Sequence, residues 1–90
     1  MGQTQVQEEV ALDRIVDQGF KIIVYNDDFN TFDHVIDSLI DLCSHSNIQA
    51  EQCAWIIHNN GKCDVKRGSY EKLEPICTGL LDRGLTAEIE

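Results

Sequence analysis

The sequence contains little positive charge and no long apolar run. Its 90 residues include 7 Lys and Arg against 16 Asp and Glu, so the formal net charge is -9. Nucleic acid phosphates and anionic lipids would repel such a chain, and we expect neither as a partner. The sequence has no run of about 18 apolar residues, so we expect no transmembrane helix. It has no basic region followed by an apolar stretch at its N-terminus, so we expect no signal peptide. We therefore expect a cytoplasmic protein whose charge either favours a cationic partner or only maintains solubility.

Cysteine pairs of the C-x-x-C type are also missing. The four cysteines, Cys43, Cys53, Cys63 and Cys77, fall on apolar faces of predicted elements, and we interpret them as reduced thiols in the core. Two alternatives use them differently: a metal site from Cys43, His45, Cys53, His58 and Cys63, or a nucleophile at Cys53 or Cys63 activated by His58. The sequence supplies neither the paired ligands nor the orienting group that these need, so we expect no metal, no cofactor and no enzymatic activity.

The periodicity of the apolar residues predicts one domain at residues 20–90, after a polar tail at residues 1–19 that we expect to be flexible. Strands are predicted at residues 20–25, 62–66 and 85–90, and helices at residues 31–44, 46–59 and 69–84. Pro75 predicts a kink in the third helix or a delayed start near Glu74. The order β-α-α-β-α-β predicts an α+β fold with a small, mainly antiparallel three-stranded sheet packed against three helices.

Three acceptor side chains, Asn26, Asp27 and Asp28, lie between the first strand and the first helix. A turn at this point is held at both ends and projects these side chains outward. Asn and Asp are also common in turns, where they tolerate unusual backbone angles and cap the next helix, so no ligand is needed to explain them. The residues alone leave both interpretations open.

Four features, in order along the chain, resemble the ClpS-type adaptors of the Clp proteases. They are Asn26-Asp27-Asp28 after a strand, the helix that carries Val35-Ile36-Asp37, the His58-x-x-Gly61-Lys62 segment, and the strand that begins at Leu85. The resemblance covers about residues 20–90, in register and nearly without gaps. It implies an adaptor that binds proteins with a large hydrophobic N-terminal residue (an N-degron), typically Leu, Phe, Tyr or Trp. It also implies delivery of these proteins to a Clp-type AAA+ unfoldase that is ClpA-like or ClpC-like.

The resemblance implies roles for particular residues. Asn26, Asp27 and His58 would hold the free α-ammonium group of the substrate. The pocket for the first side chain would be lined by Asn30, Thr31, Phe32, Val35, Ala54, Ile57 and Leu85. Glu71 would serve in docking to the unfoldase, and residues 1–19 would engage it as the tails of family members do. We take a monomer as the default oligomeric state.

The chemistry of these residues agrees with the implied roles. An ammonium group offers three donors and no acceptor, and a carboxylate, an amide oxygen and an imidazole nitrogen supply three acceptors. His58 must then be neutral at the contacting nitrogen, so binding should weaken in mild acid. Phe32 and Ala54 stand where the family often has methionine, which leaves the preference among first residues open. The alternative is a small interaction domain that docks a partner through its helices, for instance through Trp55 and Ile56.

Overall fold

A computed structural model describes residues 19–90 of the protein. The chain forms six elements in the order β1 (Phe20–Tyr25), α1 (Phe32–Cys43), α2 (Asn47–Asn60), β2 (Lys62–Gly68), α3 (Tyr70–Asp82) and β3 (Thr86–Ile89). The predicted order of elements and the α+β class are confirmed. Apart from Gly19, the predicted tail at residues 1–19 lies outside the described residues. No helix within residues 19–90 is long and apolar enough to cross a membrane.

β1 is the central strand of the sheet, whose order is β2-β1-β3. Both pairings are antiparallel, so the sheet is antiparallel throughout. β2 extends to Gly68, beyond the predicted end at residue 66, and pairs there with Phe20. Val65 forms a bulge in β2, because Ile22 pairs with Lys66 while the next residue of β1 pairs with Asp64. Since β1 is hydrogen-bonded on both sides, the turn that follows it starts from a fixed position.

Each helix begins after a Ser or Thr that caps it. The side chains of Thr31, Ser46 and Ser69 each accept a hydrogen bond from the backbone N–H three residues later, at 3.1, 3.1 and 3.2 Å. Such a cap contributes about 1 kcal/mol. α2 ends at Asn60 and is capped by Gly61, whose φ of 95° is readily adopted only by glycine. These residues fix where α1 starts and where α2 stops, which are the two boundaries next to the candidate site.

α3 begins at Tyr70 and continues through Pro75, so the alternative of a delayed start near Glu74 is wrong. Pro75 has no N–H to donate to the carbonyl of Glu71, one turn earlier. Glu71 and Pro75 are both exposed, so water can hydrate that carbonyl. The Ser69 cap and the fully buried Leu73 hold the first turn of the helix despite the proline.

The helices pack against the sheet around one apolar core. Ile22 and Val24 of β1, Leu39 of α1, and Leu73 and Leu80 of α3 are each at most 1% exposed. Burying a side chain of this size contributes about 1.5–3 kcal/mol. The buried residues of α2 are smaller, Ala50, Ala54 and Ile57. The two alanines let the backbone of α2 approach its neighbours closely.

Candidate functional site

A pocket of about 400 Å³ lies between the turn after β1, the start of α1 and the C-terminal half of α2. This volume falls within the range of small-ligand sites, about 300–1,000 Å³. Its polar lining residues are Asn26, Asp27, Asp28, Asn30 and His58, and its apolar lining residues are Phe32, Val35, Ala54 and Ile57. The pocket therefore combines hydrogen-bond acceptors with an apolar space.

A backbone hydrogen bond brings the two ends of the polar lining together. The N–H of Asn26 donates to the carbonyl of Gly61 at 2.8 Å, which joins the end of β1 to the end of α2. His58 lies in the last turn of α2, three residues before Gly61. The side chains of Asn26 and His58 make no hydrogen bond to any described residue. An amide oxygen and an imidazole nitrogen are therefore free to accept hydrogen bonds at the pocket.

The Asp27 carboxylate organises the turn. Its Oδ1 accepts hydrogen bonds from the backbone N–H groups of Phe29 (3.0 Å) and Asn30 (2.9 Å), and its Oδ2 accepts from the side chains of Asn30 (2.8 Å) and Thr86 (3.3 Å). A carboxylate has about four acceptor positions, so these bonds occupy them. Burial raises the pKa of Asp27, but the bonds from Asn30, Phe29 and Thr86 outweigh it and hold the pKa below its usual value. Asp27 is thus a fixed negative charge at neutral pH.

The segment between α3 and β3 supports the same turn. The side-chain N–H of Asn30 donates to the carbonyl of Gly84 at 2.8 Å, and Nε2 of His34 lies 2.8 Å from the carbonyl of Arg83. Since a carbonyl can only accept, Nε2 of His34 carries a proton. Arg83 in turn donates to Asp41 of α1 at 2.9 Å. The pocket turn and the start of α1 are therefore joined to a segment that lies 54 residues later in the chain for the Asn30–Gly84 contact and 49 residues later for the His34–Arg83 contact.

The electrostatics of the pocket favour a cation. Asp27 and Asp28 both line it, whereas none of the lysines and arginines in the described part of the chain does. Asp28 is exposed, and its carboxylate makes no hydrogen bond within residues 19–90. A partly enclosed site with two carboxylates attracts a positively charged group and repels an anion.

The thiols are not arranged for catalysis or metal binding. Within residues 19–90, no group of three or more His, Cys, Asp or Glu is placed to hold a metal ion. No cysteine lines the pocket that contains His58. Burial is the main cause that raises the pKa of Cys43 to about 11 and that of Cys63 to about 12, with the Cys53 thiol adding to the shift at Cys63. Little of the nucleophilic thiolate is therefore present at neutral pH.

A family model agrees with the resemblance in the sequence. The model described as "ATP-dependent Clp protease adaptor protein ClpS" matches residues 16–88 of the chain. The chain belongs to the ClpS family. As a ClpS-type adaptor of the Clp protease it is a non-catalytic protein, so the rival hypothesis of a cysteine nucleophile is set aside.

Individual ClpS proteins are similar to this chain over most of their length. The ATP-dependent Clp protease adapter protein ClpS of Thermosynechococcus vestitus is 35% identical over 81 residues, which cover 89% of this chain and 86% of the relative. That of Synechocystis is 38% identical over 68 residues, covering 74% of this chain and 69% of the relative. The solved structure of Agrobacterium tumefaciens ClpS2 bound to L-phenylalaninamide has a TM-score of 0.73 at 19% identity, and covers 83% of this chain and 99% of that chain. This likeness shows the same fold.

The structure brings together eight of the ten residues that the ClpS resemblance assigned to substrate binding, all of which line the pocket. The other two are Thr31, which caps α1, and Leu85, which is 3% exposed and packs in the core. Asp28 lines the pocket although no role was assigned to it, and its place in the same acidic turn was the available signal. Glu71 is exposed in the first turn of α3 and is not part of the pocket.

Proposed function

We propose that this adaptor binds proteins through a free, large hydrophobic N-terminal residue and delivers them to a Clp-type AAA+ unfoldase. The observation that carries the proposal is the pocket, in which acceptor groups and two carboxylates adjoin four apolar side chains. An α-ammonium group next to a large apolar side chain is the ligand with matching chemistry. L-phenylalaninamide, bound in the similar ClpS2 structure of A. tumefaciens, has this chemistry.

The polar residues of the pocket contribute to binding of the ammonium group in different ways. Asn26 and His58 accept hydrogen bonds from it, because their side chains have no other partner within residues 19–90. Asp27 supplies a fixed negative charge, since its acceptor positions are filled by the turn. Asp28 adds a second carboxylate at the mouth of the pocket. His58 acts in its neutral form, because only an unprotonated ring nitrogen can accept a hydrogen bond.

The apolar residues receive the first side chain of the substrate. Phe32 and Val35 approach it from α1, and Ala54 and Ile57 from α2. Ala54 has the smallest side chain of the four, so it leaves room for a ring such as that of Phe, Tyr or Trp.

The typical free energies of these contacts add up to a useful binding affinity. Hydrogen bonds to charged groups contribute about 1.5–3 kcal/mol each, and burial of a Leu or Phe side chain contributes about 1.5–3 kcal/mol. After the costs of association, about -8 kcal/mol is left, which corresponds to micromolar affinity. A ligand without the ammonium group covers the Asn26 and His58 acceptors without giving them a donor, so it loses most of this affinity.

Delivery uses Glu71, which is not part of the pocket lining, and the N-terminal segment of the chain. Glu71, exposed in the first turn of α3, docks to a ClpA-like or ClpC-like unfoldase, and residues 1–19 engage the same partner. The adaptor acts as a monomer in this scheme. Because Glu71 is not part of the pocket, a substrate can occupy the pocket while the unfoldase is bound.

Two small ligands test the proposal directly. L-phenylalaninamide and 3-phenylpropanamide share the ring and the carboxamide and differ only in the ammonium group. In an NMR titration, we expect L-phenylalaninamide alone to shift the backbone signals of residues 26–32 and 54–58. Equal shifts with both ligands, or shifts confined to other residues, would contradict the proposal.

The exposed face of α2 supports a second candidate function. Ile48 and Trp55 are 70% and 60% exposed, and Trp55 adjoins the half-buried Ile56. An exposed apolar strip of this kind is typical of docking surfaces. If the pocket does not distinguish the two ligands, docking of a partner through this face becomes the better account.

A further inference from the structure

We propose that Asn30 is a positioning residue, which holds the Asp27 carboxylate in place by bridging it to the carbonyl of Gly84. The resemblance implied only that Asn30 lines the hydrophobic pocket. The new role rests on the proposed function, because it concerns the charge that faces the ammonium group.

The side-chain amide of Asn30 has only one orientation that satisfies its neighbours. Its Nδ2 lies 2.8 Å from Oδ2 of Asp27 and 2.8 Å from the carbonyl oxygen of Gly84. Both of these oxygens can only accept, so the nitrogen and not the amide oxygen must face them. The two protons on Nδ2 are then both used. The backbone N–H of Asn30 donates to Oδ1 of Asp27 at 2.9 Å, so one residue holds both carboxylate oxygens.

The other contacts of Asp27 cannot replace this bridge. The N–H of Phe29 belongs to the same turn as Asp27, so it does not relate the carboxylate to the rest of the protein. The hydroxyl of Thr86 does reach it from β3, but at 3.3 Å, which is a longer and weaker bond. Gly84 is held in its own turn by a hydrogen bond from its N–H to the carbonyl of Leu81 at 2.9 Å. Asn30 therefore connects Asp27 to a fixed point outside the pocket turn.

The bridge also favours the ionised form of Asp27. Burial alone raises the pKa of this carboxyl, and the hydrogen bond from the backbone N–H of Asn30, followed by that from its side-chain amide, is the largest contribution that lowers it. Only the side-chain bond belongs to the bridge and is lost when the side chain is replaced. The other titratable groups that line the pocket are Asp28 in the same turn and His58 on α2. Loss of the Asn30 amide should raise the pKa of Asp27 and loosen the carboxylate at the same time.

If Asn30 positions Asp27, its replacement has a different effect on binding than if Asn30 only lines the pocket. If Asn30 only formed part of the wall, its replacement would weaken ligands with and without an ammonium group by the same factor. If it positions Asp27, replacement reduces only the advantage that the ammonium group gives. The quantity to measure is therefore the ratio of the affinities for L-phenylalaninamide and 3-phenylpropanamide.

Two variants and a matched control make this measurement. Asn30→Leu keeps a side chain of similar shape but removes both donors, and Asn30→Ala removes donors and shape together. Asn59→Ala is the control, because its amide donates to the carbonyl of Trp55 at 2.9 Å outside the pocket lining. We expect the affinity ratio to fall at least fivefold in both Asn30 variants and to stay at the wild-type value in the control. An unchanged ratio in Asn30→Leu would overturn the inference.

A second readout needs no ligand. An NMR titration of the Asp27 carboxyl carbon in the free protein should show a higher pKa in Asn30→Leu than in the wild type, and the wild-type pKa in Asn59→Ala. If the wild-type protein fails to distinguish the two ligands, the proposed function fails, while this titration still decides whether Asn30 controls Asp27. An Asp27 pKa that is the same in Asn30→Leu and the wild type would contradict the positioning role. Should Asn30→Leu fail to fold, Asn30→Ala takes its place in this titration, because it removes the same two side-chain donors, and an unchanged Asp27 pKa there would likewise contradict the positioning role.

Discussion

Replacement of Asp27 with alanine affects both the stability of the pocket turn and the charge of the pocket. The variant leaves the N–H groups of Phe29 and Asn30 and the amide of Asn30 without their common acceptor. A hydrogen bond to a charged group contributes about 1.5–3 kcal/mol net. Water can replace part of this at a partly exposed turn, so we expect the free energy of unfolding to fall by about 2–3 kcal/mol in all.

The same variant removes a negative charge next to the bound ammonium group. Two unit charges about 4 Å apart interact by about 4 kcal/mol at an effective dielectric constant near 20. Exposure to solvent and the remaining Asp28 reduce the loss, and we expect at least about 1.4 kcal/mol, or tenfold in affinity. Fluorescence polarisation with a labelled peptide that begins with Phe measures the affinity, and urea unfolding measures the stability.

Asp27→Asn separates the two effects. The asparagine keeps the size of the side chain and one oxygen that can accept from the turn, but it carries no charge. We expect a smaller loss of stability than in Asp27→Ala and a comparable loss of affinity. Wild-type affinity in both variants would refute the role of this charge in binding.

Four further predictions follow from the site. His58→Ala should weaken the same peptide at least tenfold, measured by fluorescence polarisation, with an unfolding midpoint close to that of the wild type because the ring is exposed. Ala54→Met should narrow the pocket and weaken a peptide that begins with Trp more than one that begins with Leu, in the same assay. Deletion of residues 1–19 should leave peptide binding intact but slow degradation of an N-degron substrate by the reconstituted unfoldase and protease; loss of peptide binding would contradict this. Because the pKa of Asp27 is lowered in the folded state, its contribution to stability is present above the usual Asp pKa and is lost as pH falls through the folded value. The stability difference between the wild type and Asp27→Ala should therefore shrink in strong acid, as urea unfolding at several pH values would show.

Local signals in the sequence were sufficient for the order of the elements. The apolar spacing of α1 and the Ser and Thr caps act over a few residues, so they can be recognised without the fold. The start of α3 could not be chosen between the two alternatives for Pro75, because the cost of this proline depends on whether the freed carbonyl of Glu71 is exposed, which is a property of the folded surface. The bulge at Val65 could not be predicted from the sequence either, because it depends on the register between two strands.

For the site, too, the sequence alone could not predict features that depend on contacts between distant parts of the chain. Turn chemistry and ligand binding were both open for Asn26, Asp27 and Asp28, and the structure supports a turn role for Asp27 through its four hydrogen bonds. The proximity of His58 to this turn could be expected only from the ClpS resemblance, since it depends on the bond between Asn26 and Gly61. The bridge from Asn30 to Gly84 joins residues far apart in the chain and has no local signal.

The most direct test of N-terminal recognition by the pocket is a fluorescence titration of the full chain with a labelled peptide that begins with Phe, compared with the same peptide N-acetylated. Acetylation keeps the phenyl ring and removes the ammonium charge, so the pair isolates recognition of the free N-terminus. We expect micromolar binding of the free peptide, about -8 kcal/mol, and loss of most of that affinity on acetylation. Equal affinity for the two peptides, or no binding of either, would contradict recognition of the free N-terminus.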